Sequence, residues 1–206
     1  MIQLRRARLS DAAAIGAVHV AAWRSAYPGI LPDAYLSGMS ATRQARYYEA
    51  TIASGAVVLV AAPEKGGPRL VGFTTAGTGR RRGAVQGPAG RAWFGESAGG
   101  ERPDGGSRAV DALGDGEIDT LYVLDDWREQ GVGRRLMRAA ARELAGRGCR
   151  SVYVWVLRDN PSRFFYQHLG GQQLAHGTTS VAGVQLAQTA FGWDPIDRLL
   201  AAEPAG

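Results

Sequence analysis

The sequence predicts a mixed α/β fold, and three observations carry that prediction. Strand and helix patterns alternate along most of the chain. Two β-rich runs flank a turn-forming hexapeptide, as in a hairpin. A later run, Ser151 to Leu157, is apolar on both faces and so belongs inside a covered sheet. With 206 residues, 45% hydrophobic and 21% charged, the chain suits one folded domain rather than a disordered or coiled-coil polymer.

Ile2 to Arg8 alternates as a short strand, and Ser10 or Asp11 then stands ready to cap a helix carrying Ile15, Val18 and Ala22 on one face. Pro28 and Pro32 end that helix. Asp33 to about Ser54 reads as a second helical region, interrupted by Gly38 and Ser40. Val57 to Ala62 and Arg69 to Ala76 form the hairpin around Pro63-Glu64-Lys65-Gly66-Gly67-Pro68. Gly77 to Gly116 is rich in glycine and arginine and poor in aliphatic residues, which predicts a flexible insertion whose only apolar patch is Ala92-Trp93-Phe94. Glu117 to Leu124 resumes as a strand. A helix from about Gly131 to Ala145 places Val132, Leu136, Ala140 and Leu144 on one stripe and Arg134, Arg138 and Arg142 on another, with Arg135, Arg138 and Arg142 expected in solvent. Pro161 to His168 is a short helix, and residues 172 to 192 close the sheet as two strands around Ala182-Gly183.

Several function classes drop out. The longest apolar run, Ala56 to Ala62, is far below the roughly 20 residues a membrane helix needs, so a cytoplasmic protein without membrane contact is expected. One cysteine, Cys149, excludes an internal disulfide framework, and three scattered histidines lack metal-ligand spacing, so no metal is expected. The net charge of +5 favours anionic ligands but is too dispersed to argue for nucleic acid. Lys65 is the one lysine and follows Glu64, which excludes the Gly-Lys-Ser/Thr of a phosphate-binding P-loop.

The chemistry concentrates between residues 117 and 170. Leu121-Tyr122-Val123-Leu124-Asp125-Asp126-Trp127-Arg128-Glu129-Gln130-Gly131-Val132-Gly133 places a glycine-containing turn between a strand and a helix start, where free amides and the positive end of the helix dipole attract an anion. A dinucleotide fold is disfavoured because Leu136 stands where the third glycine of its fingerprint belongs. These residues resemble the acyl-CoA-binding signature of the GNAT superfamily of N-acetyltransferases, Arg/Gln-x-x-Gly-x-Gly/Ala, met by Arg128, Gly131 and Gly133. The order of elements agrees with it, and Asn160-x-x-Arg163-Phe164-Phe165-Tyr166-x-x-Leu169-Gly170 is similar to the family's closing motif.

The resemblance implies a twisted, mostly antiparallel mixed sheet flanked by helices and splayed where acetyl-CoA, the cosubstrate, enters. It further implies that the CoA pyrophosphate rests on the amides of Glu129, Gln130, Gly131, Val132, Gly133 and Arg134, with the side chains of Arg128 and Arg134 nearest the charge. The pantetheine arm would run beside Leu121, Tyr122 and Val123, the Val123 amide would serve the oxyanion, and Asn160 would hydrogen-bond the pantetheine or thiol end. Tyr166 stands where the family places its thiolate-protonating tyrosine; packing beside Phe165 is the plainer alternative.

Strand periodicity puts Glu117, Asp119, Leu121 and Val123 on one face, the two carboxylates about 7 Å apart. Glu117, eleven residues before Arg128, resembles the catalytic glutamate of the histone acetyltransferase branch and is the first candidate base. Asp119 is the second, and solvated strand-end charges or a water chain are the alternatives. Trp23, Tyr27 and Ile30, after the first helix, would form one wall for a small-molecule or peptide amine acceptor, or else are ordinary packing. His19 reads as a helix-face residue and Cys149 as inert packing.

Gly95-Glu96-Ser97-Ala98-Gly99 fits a serine-hydrolase elbow but lacks the helix that motif requires, and Arg80-Arg81-Arg82 reads as a solvated charge run. Gly171 replaces an aromatic common in the family and Asp125 a common proline. The competing function is a catalytically silent CoA-binding sensor or interaction domain. Folds of this kind often dimerise, so a homodimer is admitted.

Overall fold

The computed structural model describes residues 1–64, 66, 69–78 and 113–201. Most of the glycine-rich insertion, with Ala92-Trp93-Phe94, Ser97 and the Arg80–Arg82 run, lies outside the described residues, as do Lys65, Gly67 and Pro68 of the hairpin turn.

In chain order the elements are β1 (Ile2–Arg6), α1 (Ala12–Ala26), α2 (Asp33–Ser37), α3 (Ala41–Ala53), β2 (Val57–Pro63), β3 (Gly72–Thr78), β4 (Gly116–Val123), α4 (Val132–Gly146), β5 (Val152–Leu157), α5 (Arg163–His168), β6 (Gln172–Val181), β7 (Val184–Trp193) and α6 (Asp197–Ala201). Among the described residues the strands make a seven-stranded, mostly antiparallel mixed sheet in the order β1-β2-β3-β4-β5-β7-β6. Two compact units divide the chain, Met1–Ala76 with Asp119–Ala140 and Gly77–Ile118 with Ala141–Gly206, so β4 and α4 each contribute residues to both.

In the first unit, β1 and β3 flank β2 antiparallel, with Leu4 opposite Ala61 and Val60 opposite Phe73. β2 is buried on both faces over Val57–Ala61, which its unbroken apolar run requires. Ile15 and Val18 of α1 and Tyr48 of α3 pack on Val58, Val60 and Phe73. The helical region over 33–54 divides into two helices at Gly38 and Ser40, the residues expected to interrupt it. Gly38 closes α2, and the Ser40 hydroxyl accepts a hydrogen bond from the Arg43 amide to start α3.

Asp11 does not cap α1 with its side chain. A 3₁₀ turn over Leu9–Asp11 precedes the helix, and the fully buried Asp11 carboxylate accepts from the Arg8 amide at 2.8 Å and pairs with the Arg5 guanidinium at 2.6 Å. The Arg5 hydrogen bond chiefly holds its pKa down, at about 2. β3 begins at Gly72 rather than Arg69, its pairing with β2 starting at Gly72 opposite Ala61, and the Arg69 guanidinium reaches back to the same Asp11 carboxylate. Gly72 itself is dictated by packing: a Cβ there would lie 2.8 Å from the Tyr122 carbonyl and 3.2 Å from the Val123 side chain.

In the second unit, β5 pairs antiparallel with β7 over six residues, and β7 with β6. Parallel pairing of β4 with β5 covers Gly116↔Val152 and Glu117↔Tyr153, at the start of β4. α4, whose residues up to Ala140 belong to the first unit, buries the predicted stripe of Val132, Leu136, Ala140 and Leu144, together with Met137. The arginine stripe is not uniformly solvated. Arg138 is half-buried with its Nε shielded from water, and Arg135 donates to the Ile2 carbonyl at 2.8 Å. α6 has no counterpart in the sequence reading.

Candidate active site

The turn from β4 to α4 is set by short-range hydrogen bonding. β4 ends where the Leu124 amide donates to the Val71 carbonyl, and a 3₁₀ turn over Asp125–Trp127 redirects the chain. Arg128 then adopts extended backbone, and Glu129 and Gly131 both adopt left-handed backbone with φ of 59° and 74°. Glutamate pays for that conformation where glycine does not, and such strain is typically stored at functional turns. The Gly131 carbonyl accepts from the Arg135 amide, so α4 begins immediately after it.

Helix geometry leaves the first amides of α4 without intrahelical acceptors, and its dipole adds positive potential there. A Cβ on Gly131 would meet nothing within 4 Å, so the turn faces open space. Arg128 pairs with Asp125 at 2.8 Å, and the Ser25 hydroxyl of α1 hydrogen-bonds the same carboxylate. The predicted group is thus contiguous: Arg128, Glu129, Gln130 and Gly131 form the turn, and Val132, Gly133 and Arg134 open α4. Gln130 braces the turn by donating to the Asp126 carbonyl at 2.8 Å.

Leu121, Tyr122 and Val123 are half-buried at the C-terminal end of β4. Three buried threonines, which the sequence reading passed over, anchor the residue before them. The Thr120 hydroxyl accepts from the Thr75 amide at 2.9 Å and bonds the Thr75 hydroxyl at 2.8 Å, while the Thr74 hydroxyl donates to the Thr120 carbonyl at 2.6 Å. These hydroxyls tie β3 to β4 within the sheet and satisfy one another without water.

The two carboxylates differ in surroundings. Glu117 is half-buried and its Oε2 accepts from the Tyr153 phenol at 2.8 Å. Asp119 is exposed, between buried Ile118 and Thr120. Burial raises the phenol pKa of both Tyr47 and Tyr48 on α3, and the negative charge of Asp119 adds to each. Asp119 therefore acts electrostatically on α3, whereas Glu117 is tied to β5.

Tyr166 on α5 is 6% exposed. Its ring packs on Phe165, Phe191 and Trp193 with centroid separations of 5.3, 6.2 and 6.5 Å, and its carbonyl accepts from the Gly171 amide. The residue after Leu169-Gly170 is glycine for a steric reason: a Cβ on Gly171 would lie 2.8 Å from the Trp193 ring. Asn160 starts the turn into α5, its buried side-chain oxygen accepting from the Ser162 amide at 2.9 Å, which leaves the amide nitrogen as its donor.

Trp23 and Tyr27 lie in an aromatic cluster, their centroids 4.8 Å apart and their rings only 3% and 8% exposed, while Ile30 is half-buried. His19 belongs to the same cluster, stacked on Trp23 and bonded through Nδ1 to the Tyr48 phenol at 2.7 Å. Burial lowers its pKa to about 3, which keeps it neutral. Nearby, Arg24 donates to the Leu36, Ser37 and Met39 carbonyls and lines an open depression with Pro28, Asp33, Leu36 and Ser37. Among the described residues no helix is long and apolar enough to cross a membrane.

Comparison with known proteins identifies the family. A family model described as Acetyltransferase (GNAT) family matches residues 23–170. The protein named uncharacterized N-acetyltransferase YuaI, from Bacillus subtilis (strain 168), is 30% identical over 199 residues, covering 97% of this chain and 96% of that protein. Among solved structures, a GCN5-related N-acetyltransferase from Rhodopseudomonas palustris superposes with a TM-score of 0.61 at 22% identity, covering 93% of this chain and 94% of that one. The structure of yncA from Salmonella typhimurium with its cofactor acetyl-CoA has a TM-score of 0.57 at 18% identity, covering 99% and 96%. The matched span runs from the end of α1 through the open turn before α4 to Gly170 after α5, and on that evidence the chain belongs to the acetyltransferase (GNAT) family.

Proposed function

We propose that this enzyme transfers the acetyl group of acetyl-CoA to a primary amine of a small-molecule or peptide acceptor, by direct attack in a ternary complex. The observation that carries the reading is the turn and helix start at residues 128–134, where two left-handed residues open the N-terminus of a 15-residue helix toward solvent. Its amide donors, helix dipole and arginines fit a diphosphate.

Bound acetyl-CoA supplies an activated thioester whose leaving group is a thiolate. The amides of Glu129 through Arg134, with the Arg128 and Arg134 guanidinium groups, would hold the diphosphate, and the Asn160 side-chain amide and the Leu121–Val123 backbone would hold the pantetheine arm. The Val123 N–H would donate to the thioester oxygen as negative charge develops there. Glu117 would accept the proton lost by the attacking amine, with Asp119 or a water chain as the alternative route. Tyr166 would return a proton to the departing sulfur, since a phenol is protonated at neutral pH and can donate to the thiolate as it forms. On the acceptor side, Ile30 would contact the amine substrate, with Trp23 and Tyr27 forming the packed floor beneath it.

The test is calorimetric titration with acetyl-CoA, followed by thiol release across amines that include an aliphatic diamine, an aminoglycoside and a short peptide with a free N-terminus. Binding with amine-dependent release supports the reading. Binding without release from any amine favours a silent CoA sensor, and no binding removes the diphosphate assignment.

A further inference from the structure

Glu117 and Tyr153 are partners on the last paired rung between β4 and β5, and the Tyr153 phenol donates to the Glu117 carboxylate at 2.8 Å. The donor has little freedom. Tyr153 is 1% exposed, packed with Leu113 and Ala190 and flanked by Trp155 and Ala175, and the Cβ position of Gly114 lies 3.5 Å from its ring. The acceptor, by contrast, is half-buried, on a side chain with three rotatable bonds. A rigid donor on one carboxylate oxygen selects one arrangement of such a chain and directs the group as a whole.

We propose that Tyr153 is a positioning residue for Glu117, holding the carboxylate in the orientation from which it accepts the proton of the attacking amine. The proposal rests on Glu117 being the base. Tyr153 itself exchanges no proton in the reaction: the amine proton passes to Glu117 and the phenol hydrogen bond stays in place throughout. Its own packing is what makes it suited to this role, because a donor on a mobile loop would fix nothing.

A double-mutant cycle on the full chain tests it, with Tyr153→Phe, Glu117→Gln and the double variant assayed on whichever panel amine gives the fastest thiol release. Phenylalanine keeps the ring packing and removes only the donor. Y153F is expected to lower kcat about tenfold while KM for acetyl-CoA stays within about twofold. E117Q is expected to lower kcat about a hundredfold or more. The double variant should be no slower than E117Q, since without the base there is nothing to position. Wild-type kcat in Y153F, or a further tenfold loss in the double variant, overturns the proposal. Full activity in E117Q would instead remove the base assignment, while a slow E117Q beside a normal Y153F would sink the positioning role alone. Should Y153F fail to bind acetyl-CoA and unfold early, Glu117→Asp reads the same contact with a carboxylate one methylene too short to reach the phenol. A fall of about tenfold in its kcat is expected, and wild-type kcat there also overturns the proposal.

Discussion

The Arg128 guanidinium is held 2.8 Å from the Asp125 carboxylate just ahead of α4, and Ser25 at the end of α1 hydrogen-bonds the same carboxylate. Both members of the pair are about half exposed, so its direct contribution to stability is small, within about 1 kcal/mol. Its consequence is geometric: the ion pair places Arg128 beside the turn while leaving it partly in solvent. Arg128→Ala should therefore weaken acetyl-CoA binding about tenfold, the usual size of a charge-assisted hydrogen bond at a partly exposed site. Affinity for S-acetyl-pantetheine, which has no phosphates, should not change. Calorimetry with both ligands decides the matter, and an equal loss for the two would place Arg128 away from the diphosphate.

Gly131 separates strain from occlusion. Its φ of 74° burdens any residue with a Cβ, yet that Cβ would meet no protein atom within 4 Å. Gly131→Ala should cost roughly 1 kcal/mol in urea unfolding from backbone conformation alone. Acetyl-CoA affinity should fall as well, because the new methyl occupies the space where a phosphate approaches the amides. A destabilised variant that binds acetyl-CoA normally would show that the diphosphate does not rest on this turn.

Tyr166 permits a cleaner separation of chemistry from packing. Phenylalanine preserves the ring contacts to Phe191 and Trp193, so Tyr166→Phe should fold and bind acetyl-CoA as the parent does. kcat should drop about a hundredfold if the phenol protonates the leaving thiolate. Stopped-flow thiol release at saturating amine gives the number, and an unchanged kcat would assign the proton to another donor.

Periodic elements were legible because their cause is local. The α4 stripe of Val132, Leu136, Ala140 and Leu144 and the two-sided apolar run of β5 each announce a buried face before any partner is known. The turn at Gly131 was legible for the same reason, since its strand, glycines and helix start are contiguous. Contacts between distant segments were not. Nothing near Tyr153 in sequence points to Glu117, 36 positions earlier, and only pairing of β4 with β5 unites them. Asp11 reads as a helix cap because nothing in its local pattern shows that its carboxylate turns back to the Arg8 amide and the Arg5 guanidinium, with Arg69, 58 residues away, joining them. Trp23 and Tyr27 read equally as a wall or as core, because Trp23 packs against His19 of α1, Tyr35 of α2 and Tyr122 of β4 together, and Tyr27 packs on Trp23. α6 spans five residues, too short for any periodic signal.

His19 should leave a signature in the pH dependence of stability. Burial lowers its pKa from 6.5 to about 3 in the folded chain, where its Nδ1 lies 2.7 Å from the Tyr48 phenol. The unfolded chain therefore takes up a proton near pH 6.5 that the folded chain refuses. Stability from this residue is fully present above pH 6.5 and is lost as pH falls toward 3, on the order of 5 kcal/mol across the whole window. Below about pH 4 a second loss begins as Asp11, held at about 2 by Arg5, is forced to protonate. Urea unfolding at pH 8, 6, 5 and 4 measures the first effect, compared with His19→Gln, which cannot titrate. The variant will be less stable than the parent at pH 8, since it loses ring stacking on Trp23, and the gap should narrow steadily as the pH is lowered. A gap that stays constant from pH 8 to pH 4 would mean that His19 is protonated alike in the folded and unfolded chains.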